Sequence, residues 1–272
     1  MNLKSRMSEE LREIEKITFG IFSPEEIAKM SVCKLDNPKK NGVGSVYDPR
    51  MGTTDSSTTC ITCKQNALDC PGHFGHIELV EPIVHPLFYK RVCNILNCFC
   101  TKCNRLLITK EQIYLHGINR YSGESRFKHI QEKIQKVDIC CQPTGEVDEN
   151  GDEILCGKDH AEIKFLPQDC CYIMVFEDSK SKISVPISTR EILKIFDNIT
   201  DDDVKLLGFD PKLSHPRNFI ILNLPVCPPC DRPYVKADGK TCDDDITLQY
   251  CEIIKANNNI AEYYGMNESS TT

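Results

Sequence analysis

The sequence predicts an α+β protein in which zinc staples irregular loops between helices and short antiparallel strands. Three observations predict this class. Apolar residues recur at helical spacing behind capping residues in several segments, and short β-branched runs are concentrated after residue 160. The chain also contains 17 cysteines in 272 residues. Because intracellular disulfides are rare and an odd number cannot all pair, some cysteines are expected to be metal ligands.

Charge and hydropathy exclude several classes of protein. The chain has 33 Lys and Arg against 40 Asp and Glu, a net charge of −7, so it is not a uniformly basic nucleic-acid binder. No apolar run approaches the roughly 20 residues of a membrane span. Residues 1–8 lack the apolar core of a signal peptide, and we therefore expect an intracellular protein without a membrane partner.

The N-terminal half predicts helices separated by irregular chain. Leu11, Ile14 and Ile17 mark a first helix, and Ser23–Met30 has a capping residue, Pro at the first helical position and Glu at the third. Residues 34–59 are punctuated by Gly and Pro and are expected to be irregular. Two further helices are predicted over residues 86–96 and 123–135, and a polar hairpin or loop over residues 144–160 around Asn150-Gly151.

The C-terminal half predicts short strands and then helices. The predicted strands cover residues 161–166, 172–177, 182–186 and 218–224, and the predicted helices cover residues 188–196, 200–207 and 246–257. The tail, residues 267–272, is polar and expected to be frayed.

Charge is unevenly distributed. Residues 90–136 contain ten Lys and Arg against three Asp and Glu, a local +7, whereas residues 143–210 contain seven against sixteen, a local −9. The basic stretch is either a phosphate-facing surface or a solvated helix face, and the sequence alone does not choose between these readings.

The strongest chemical motif predicts a first metal site. Cys60-x-x-Cys63 is followed by Cys70-Pro-Gly-His73, and two close pairs of soft ligands suit a tetrahedral zinc. The CxxC spacing lets one tight turn aim two sulfurs at one point, and a glycine permits the tight return to the histidine. His76 and His85 are interpreted as surface or packing histidines.

A second site is indicated by Cys100-x-x-Cys103, for which no partner pair follows immediately. The next cysteines are Cys140, Cys141 and Cys156, so a four-cysteine site would take Cys156 and one of the adjacent pair. Cys93 and Cys98 compete as ligands on spacing alone.

Two other cysteine pairs are interpreted as structural. Cys170-Cys171 lies in a predicted strand, where successive side chains point to opposite faces. In Cys227-Pro-Pro-Cys230 the prolines favour an extended backbone that separates the sulfurs, so a redox or metal role is disfavoured.

The order of these motifs resembles the beginning of the largest subunit of multisubunit DNA-directed RNA polymerases, of the eukaryotic RNA polymerase II type. The most specific part is Tyr47-Asp-Pro-Arg-Met-Gly52 followed by the first cysteine cluster and Phe74-Gly-His-Ile77. Supporting pieces occur in family order: Ser23-Pro-Glu-Glu-Ile27, Pro82-Ile-Val-His85, Cys100-Thr-Lys-Cys-Asn-Arg-Leu-Leu107, Pro216-Arg-Asn-Phe-Ile220, Pro225–Pro233 and Asp243–Thr247.

The resemblance implies a clamp head and clamp core, the part of the polymerase that closes over DNA in the cleft. It implies two structural Zn²⁺ ions, the first bound by Cys60, Cys63, Cys70 and His73 and the second by Cys100, Cys103, Cys140 and Cys156. Here Cys140 is preferred to Cys141 because its distance from the helix opened by Arg126 fits the family, and Cys156-Gly157 resembles its closing "CG".

The implied organisation has three segments. Residues 1–84 would hold N-terminal helices and a zipper-type zinc loop, residues 85–185 the clamp head with the second zinc, and residues 186–272 a return to the clamp core that stops before the catalytic domain. Implied partners are the second-largest and other polymerase subunits, the remainder of the largest subunit, DNA and the DNA–RNA hybrid. The location would be the nucleus, or host cytoplasm or virion if the source is a large DNA virus.

Two departures from the family limit the predicted activity. Cys227 and Cys230 occupy positions where the family has prolines, and we interpret this pair as sequence divergence and not as a third metal site. The magnesium-binding "NADFDGD" loop does not occur in the 272 residues, and the runs Asp201–Asp203 and Asp243–Asp245 are interpreted as helix caps. The chain is therefore expected to contribute DNA holding to a nucleotidyltransferase while being non-catalytic alone, with Mg²⁺ bound only in the assembly.

Two other functions compete with the polymerase hypothesis. A free-standing structural-zinc module that binds nucleic acid or a protein partner remains the alternative. A zinc hydrolase is disfavoured because a catalytic zinc needs an open coordination position and these ligand sets are closed and rich in cysteine.

Overall fold

A computed structural model describes residues 15–17, 19–55, 57–147, 151, 153–178, 181–237 and 240–269. Within these residues the protein consists of helices and small antiparallel sheets, which confirms the α+β class. The helices are α1 (Pro24–Met30), α2 (Tyr89–Leu96), α3 (Lys110–Leu115), α4 (Gly123–Ile134), α5 (Thr189–Asp197), α6 (Asp201–Leu207), α7 (Pro211–Ser214) and α8 (Asp245–Ser269). The strands are β1 (Gly75–Val84), β2 (Pro143–Val147), β3 (Glu153–Leu155), β4 (Glu162–Leu166), β5 (Cys171–Asp178), β6 (Ser181–Ile187), β7 (Ile220–Val226), β8 (Val235–Ala237) and β9 (Lys240–Cys242).

Side-chain caps explain where several helices begin. Ser23 and Glu26 form a reciprocal capping box at α1, and Ser188 and Glu191 form one at α5. Each box satisfies two backbone N–H groups that the first helical turn leaves free. The same arrangement starts α3 with Thr109 and Gln112, a helix that the sequence analysis did not predict.

Strand β1 pairs with β7 and joins distant parts of the chain. The ladder runs antiparallel from Gly75 opposite Val226 to Val84 opposite Ile220, with an irregularity between Glu78 and Ile83. Helix α1 lies against β7, and α8 lies against β1. This pairing brings the chain just before β1, which contains the first cysteine cluster, beside the chain that follows β7.

Strands β4, β5 and β6 form an antiparallel sheet in that order. Side chains of α2 and of the residue after it hydrogen-bond to the edge of β4. The side-chain amide of Asn97, the residue that follows α2, donates to the Ile163 carbonyl at 3.0 Å and accepts from the Ile163 N–H at 2.7 Å. The Phe165 N–H lies against the sulfur of Cys93. The backbone groups of this edge strand are thereby satisfied.

Two hydrophobic clusters stabilise the fold. The larger is built around α2, α4, α5 and α6 and includes Phe127 and Phe196, both fully buried. The smaller lies where β1, β7 and α8 meet and includes Met51, Ile77 and Ile254. Among the described helices, none combines the length and apolar composition needed to cross a bilayer.

Most predicted elements were confirmed within a few residues, and three predictions need correction. Of the predicted first helix only residues 15–17 and 19–20 are described, and they are not helical, whereas Leu11 and Ile14 lie outside the described residues. Cys170 precedes β5 with a φ of +48° and is not in a strand. Helix α8 continues to Ser269, so residues 267–269 belong to a helix and not to a frayed tail.

The polar segment 144–160 contains an antiparallel pair, β2 with β3. This confirms the hairpin over the loop alternative. The predicted boundaries of the three segments remain predictions, although the β1–β7 pair ties the first segment to the third.

Candidate metal centres

The first cysteine cluster is assembled in the structure. One potential ligand atom from each of Cys60, Cys63, Cys70 and His73 lies within 4.8 Å of the other three. The sulfurs of Cys63 and Cys70 are 3.5 Å apart, and the Cys70 sulfur is 3.8 Å from Nε2 of His73. Bond lengths of 2.0–2.3 Å to a tetrahedral zinc place ligand atoms about 3.6–3.8 Å apart, so the spacing suits such an ion.

A tight turn brings the first two sulfurs together. The Cys60 N–H donates to the carbonyl of Gln65 and the Lys64 N–H donates to the carbonyl of Cys60, both at 2.9 Å. Lys64 closes the turn with a φ of +62°. This left-handed conformation is unfavourable for a residue with a side chain and is sustained by the closed turn.

Asp48 and Arg50 support this turn from the preceding motif. The buried Asp48 carboxylate accepts from Nε and Nη2 of Arg50 at 2.9 and 2.7 Å and from the backbone N–H of Gly44 at 2.6 Å. Burial opposes ionisation of Asp48, but these donors outweigh it and hold its pKa below the usual value. The carbonyl of Arg50 then accepts from the Thr62 hydroxyl at 2.6 Å, which fixes the turn.

Gly72 is required where the chain returns to His73. Its φ is +77°, and a Cβ there would lie 2.5 Å from the Cys230 sulfur and 2.7 Å from Pro228. The Cys227-Pro-Pro-Cys230 segment therefore packs against the first centre. Its two sulfurs face different groups, the Tyr250 hydroxyl for Cys227 and the Pro71 carbonyl for Cys230.

The second cluster is also assembled. Sulfur atoms of Cys100, Cys103, Cys140 and Cys156 lie within 4.8 Å of one another. The sulfurs of Cys100 and Cys156 are 3.8 Å apart, and those of Cys103 and Cys140 are 3.7 Å apart. The two separations match the edge of a tetrahedron with metal–sulfur bonds of about 2.3 Å, which is about 3.8 Å.

The second cluster uses the same turn as the first. The Cys100 N–H donates to the Arg105 carbonyl and the Asn104 N–H donates to the Cys100 carbonyl, at 3.0 and 2.9 Å. Asn104 occupies the position of Lys64 with a φ of +56°. Asparagine tolerates this conformation better than lysine.

Backbone pairing places the Cys140 side chain in the second cluster and the Cys141 side chain outside it. The Cys140 N–H donates to the Lys158 carbonyl at 2.8 Å, and the Gly157 N–H donates to the Cys140 carbonyl at 3.0 Å. Neighbouring residues in extended chain point in opposite directions, so Cys140 is buried in the cluster and Cys141 is exposed.

The other candidate ligands lie elsewhere. Cys93 and Cys98 belong to the larger hydrophobic cluster, and burial raises the pKa of Cys93 to about 11. Nδ1 of His76 lies 2.8 Å from the Ser31 hydroxyl, and Nδ1 of His85 accepts from the Leu87 N–H at 3.2 Å. Both histidines therefore have structural partners.

Burial and hydrogen bonds shift the pKa values of the thiols within each cluster in opposite directions. In the first cluster burial raises the pKa of Cys70 to about 11, whereas N–H donors outweigh burial and lower that of Cys60. In the second cluster burial raises the pKa of Cys140, whereas hydrogen bonds from the Lys158 N–H and from the neighbouring thiols outweigh burial and lower the pKa of Cys156. Such crowded thiols ionise together only when a cation neutralises them.

The basic stretch, residues 90–136, is largely free of ion pairs among the described residues. Arg91 pairs with Glu124 at 2.7 Å and also lies over the rings of Phe127 and Phe209. Its remaining basic residues make no ion pair within the described part of the chain. Those with exposed side chains are Lys90, Lys102, Arg105, Lys110, Arg120, Lys128 and Lys136.

Sequence reasoning missed the residues that shape the two centres. The turns that orient the sulfurs depend on four residues that do not belong to either predicted ligand set. These are Asp48, Arg50, Lys64 and Asn104. The signal was present for Asp48 and Arg50, since an Asp-Pro-Arg run lies shortly before the first CxxC. The residue after each CxxC adopts a left-handed conformation, and the sequence gives no indication of this when the residue is a lysine.

Comparisons with known proteins show which family the chain resembles. Residues 11–271 match the family described as RNA polymerase Rpb1, domain 1. The chain is 38% identical over 96% of its length to a probable DNA-directed RNA polymerase II subunit RPB1 homolog of Invertebrate iridescent virus 6, of which it covers 25%. It is 35% identical over 93% of its length to the DNA-directed RNA polymerase II subunit RPB1 of Euplotoides octocarinatus, of which it covers 55%.

A third relative is DNA-directed RNA polymerase subunit 1 of Acanthamoeba polyphaga mimivirus. It is 32% identical to this chain over 97% of the chain's length, and the chain covers 19% of it. The chain thus spans between about a fifth and about half the length of these relatives. The family match over nearly the whole chain identifies it as a member of the Rpb1 domain 1 family, an N-terminal portion of the largest subunit of DNA-directed RNA polymerase.

Proposed function

We propose that this chain contributes clamp head and clamp core to a DNA-directed RNA polymerase and holds template DNA in the cleft during transcription. The observation that carries the proposal is the basic stretch, which has a single described ion pair, at Arg91, in a chain that belongs to the Rpb1 domain 1 family. Unpaired Lys and Arg side chains are free to neutralise phosphates, and they hold nucleic acid without reading its sequence.

Charge reversal combined with a salt titration tests DNA holding. Arg120→Glu, Lys128→Glu and Lys136→Glu, combined in one variant, should weaken binding to a short DNA duplex and flatten the dependence of log K on log salt, by about 0.9 for each lost phosphate contact. Lys29→Glu, an exposed lysine on α1, is the matched control. An unchanged salt slope in the triple variant would place DNA elsewhere.

We further propose that both clusters hold structural Zn²⁺. The donor sets are three cysteines with one histidine and four cysteines, and thiolate with imidazole in tetrahedral arrangement suits zinc. The second ion would tie chain segments distant in sequence, since 37 residues separate Cys103 from Cys140. Elemental analysis should give two zincs per chain, with one lost in Cys63→Ser and the other in Cys103→Ser. A wild-type content of zero or one would refute the assignment.

The acidic runs support the proposal that the chain is non-catalytic alone. Asp203 belongs to the capping box of α6. Asp243 accepts from the Tyr47 hydroxyl at 2.9 Å and pairs with Lys40, while Asp244 accepts from the Ile246 N–H. These carboxylates have structural partners, and Mg²⁺ would be held only in the assembled polymerase. The isolated chain with Mg²⁺ and nucleoside triphosphates should form no phosphodiester product.

The partners follow from the same proposal. They are the second-largest and other polymerase subunits, the remainder of the largest subunit, DNA and the DNA–RNA hybrid. The nucleus is the expected location for a cellular enzyme, and host cytoplasm or the virion for a viral one, an alternative supported by the two viral relatives. Co-purification distinguishes this assembly from a free-standing zinc module, since recovery only outside polymerase complexes would favour the module.

A further inference from the structure

The sheet β4–β5–β6 has one face that is apolar along its whole length. Strand register puts these side chains on the same face: Ile163, Phe165, Tyr172, Met174, Phe176, Ile183, Val185 and Ile187. The larger hydrophobic cluster covers one end of this face, including Tyr172 and Ile187. At the other end Ile183 is 55% exposed and Val185 is 39% exposed.

Phe176 and Ile183 of this uncovered end are direct partners in the ladder and form the floor of a groove. The end of α4 and the chain that follows it form a wall, with Ile134 buried and Ile139 49% exposed. The groove has a volume of about 940 Å³. An apolar strip of this kind offers contact area for side chains of another molecule.

The rim of the groove is acidic and rich in amide groups. Asp138 and Asp159 line it and have no ion-pair partner among the described residues, whereas Glu162 is paired with Lys164 at 2.8 Å. The nearby Lys158 ammonium group lies 5.3 Å from the centre of the Phe176 ring and is engaged there. Burial lowers the pKa of His160, so its imidazole is neutral at pH 7 and does not offset these carboxylates.

Amide side chains on the α2 and α4 side complete the rim. Those of Asn94 and Gln135 line the groove and make no hydrogen bond within the described part of the chain. An amide group can both donate to and accept from a peptide backbone. The rim therefore offers hydrogen bonds to a polypeptide while its carboxylates repel the phosphates of a nucleic acid.

We propose that this groove binds an extended polypeptide segment of a partner protein in which apolar side chains alternate with lysine or arginine. The apolar side chains would cover Phe176 and Ile183, and the cations would lie beside Asp138 and Asp159. None of the residues that line the groove belongs to either cysteine cluster or is a cation of the basic stretch. The proposal thus goes beyond DNA holding and does not depend on it.

Defined peptides and the zinc-loaded full chain test this proposal. The probe is a fluorescein-labelled peptide with two isoleucines and two lysines spaced by serines, and fluorescence anisotropy reports its binding. Ile183→Asp should weaken binding at least tenfold, because it puts a charge on the apolar floor. The double variant Asp138→Lys, Asp159→Lys should also weaken peptide binding at least tenfold, and it leaves the apolar floor unchanged. This variant tests the proposal if Ile183→Asp does not fold.

Matched controls carry the same changes elsewhere. Val235→Asp alters a 49% exposed residue on β8, and Glu262→Lys alters an exposed carboxylate on α8. Both should bind the probe as the wild type does, and a peptide with glutamate in place of lysine should not bind. Absence of probe binding up to about 1 mM would overturn the proposal. So would equal binding of the glutamate peptide, equal loss in the controls, or displacement of the probe by single-stranded DNA.

Discussion

The side-chain oxygen of Asn257 accepts a hydrogen bond from the backbone N–H of Val80 at 2.8 Å. The same amide group donates to the Glu78 carbonyl at 2.9 Å. These contacts occur where the pairing of β1 with β7 is interrupted. The Asn257 side chain thus pairs with two backbone groups of β1 that a neighbouring strand would otherwise bind, and it holds α8 against the sheet.

Replacing Asn257 should therefore destabilise the sheet. Asn257→Ala removes both hydrogen bonds and should lower the free energy of unfolding by about 1–2 kcal/mol. Urea denaturation of the zinc-loaded chain measures the change. Asn259→Ala is the control on the same helix, since this exposed side chain makes no hydrogen bond within the described residues and should cost less than about 0.5 kcal/mol. Equal losses would show that the two hydrogen bonds of Asn257 make no specific contribution to stability.

Arg232 is a second tie between α8 and the N-terminal part of the chain. It is 1% exposed and donates to the carbonyls of Val46 and Cys227 and to the Thr247 hydroxyl, the last at 2.9 Å. Its guanidinium carbon lies 5.3 Å from the centre of the Tyr47 ring. The planar fork reaches all three acceptors at once, which an ammonium group cannot do.

Arg232→Lys should consequently be costly although it conserves charge. We expect a loss on the order of 3 kcal/mol in the free energy of unfolding, because a buried cation would lose acceptors. Arg190→Lys is the control, since Arg190 forms an exposed pair with Glu81, and it should cost at most about 1 kcal/mol. Similar costs for both variants would show that the buried hydrogen bonds contribute little.

The contrast between these residues and the capped helices shows what the sequence can predict. Helices α1, α5 and α6 were predicted, and the structure shows a local capping box at the start of each. The first cysteine cluster was predicted because ligand chemistry restricts spacing, whereas the choice of Cys140 for the second cluster rested on the family resemblance. Helix α3 was missed although Thr109 and Gln112 form a capping box, since it has only six residues.

Long-range relationships were less accessible. Strand β1 contains Glu78, Glu81 and Pro82 and lacks the alternation that marks a strand, and its partner β7 lies more than 130 residues away. The burial of Arg232 is set by tertiary contacts that no local pattern encodes, since arginine is ordinarily exposed. The end of α8 was placed too early because the asparagines at residues 257–259 interrupt the apolar spacing before it resumes at Ile260.

The two CxxC turns allow a matched test of backbone strain. Lys64→Gly should stabilise the first turn by up to about 1 kcal/mol, because glycine adopts a positive φ without steric cost. Asn104→Gly at the equivalent position should gain less, since asparagine already tolerates this conformation. Competition with a chelator, measured on variants that keep one cluster, should show a larger gain in zinc retention for the lysine replacement than for the asparagine replacement. Equal effects at both positions would contradict the strain argument.

Proton release should distinguish the two clusters. Burial raises the pKa of Cys70 to about 11 and also raises those of Cys103 and Cys140, so in the metal-free chain these thiols are protonated at pH 7. Zinc binds thiolates, so binding displaces protons: at most about three from the first cluster and about four from the second. Because bound zinc holds the thiol pKa values below those of the metal-free chain, the stabilisation is present at neutral pH and lost as pH falls.

Calorimetry in buffers of different ionisation enthalpy measures that release. Cys103→Ser leaves the first cluster to titrate and Cys63→Ser leaves the second, and the second should release more protons at pH 7. A dependence on buffer that is the same for both variants would contradict four-cysteine ligation at the second cluster. Zinc affinity that does not fall on acidification would exclude thiolate ligation at either one, because protons and zinc compete for the same sulfurs.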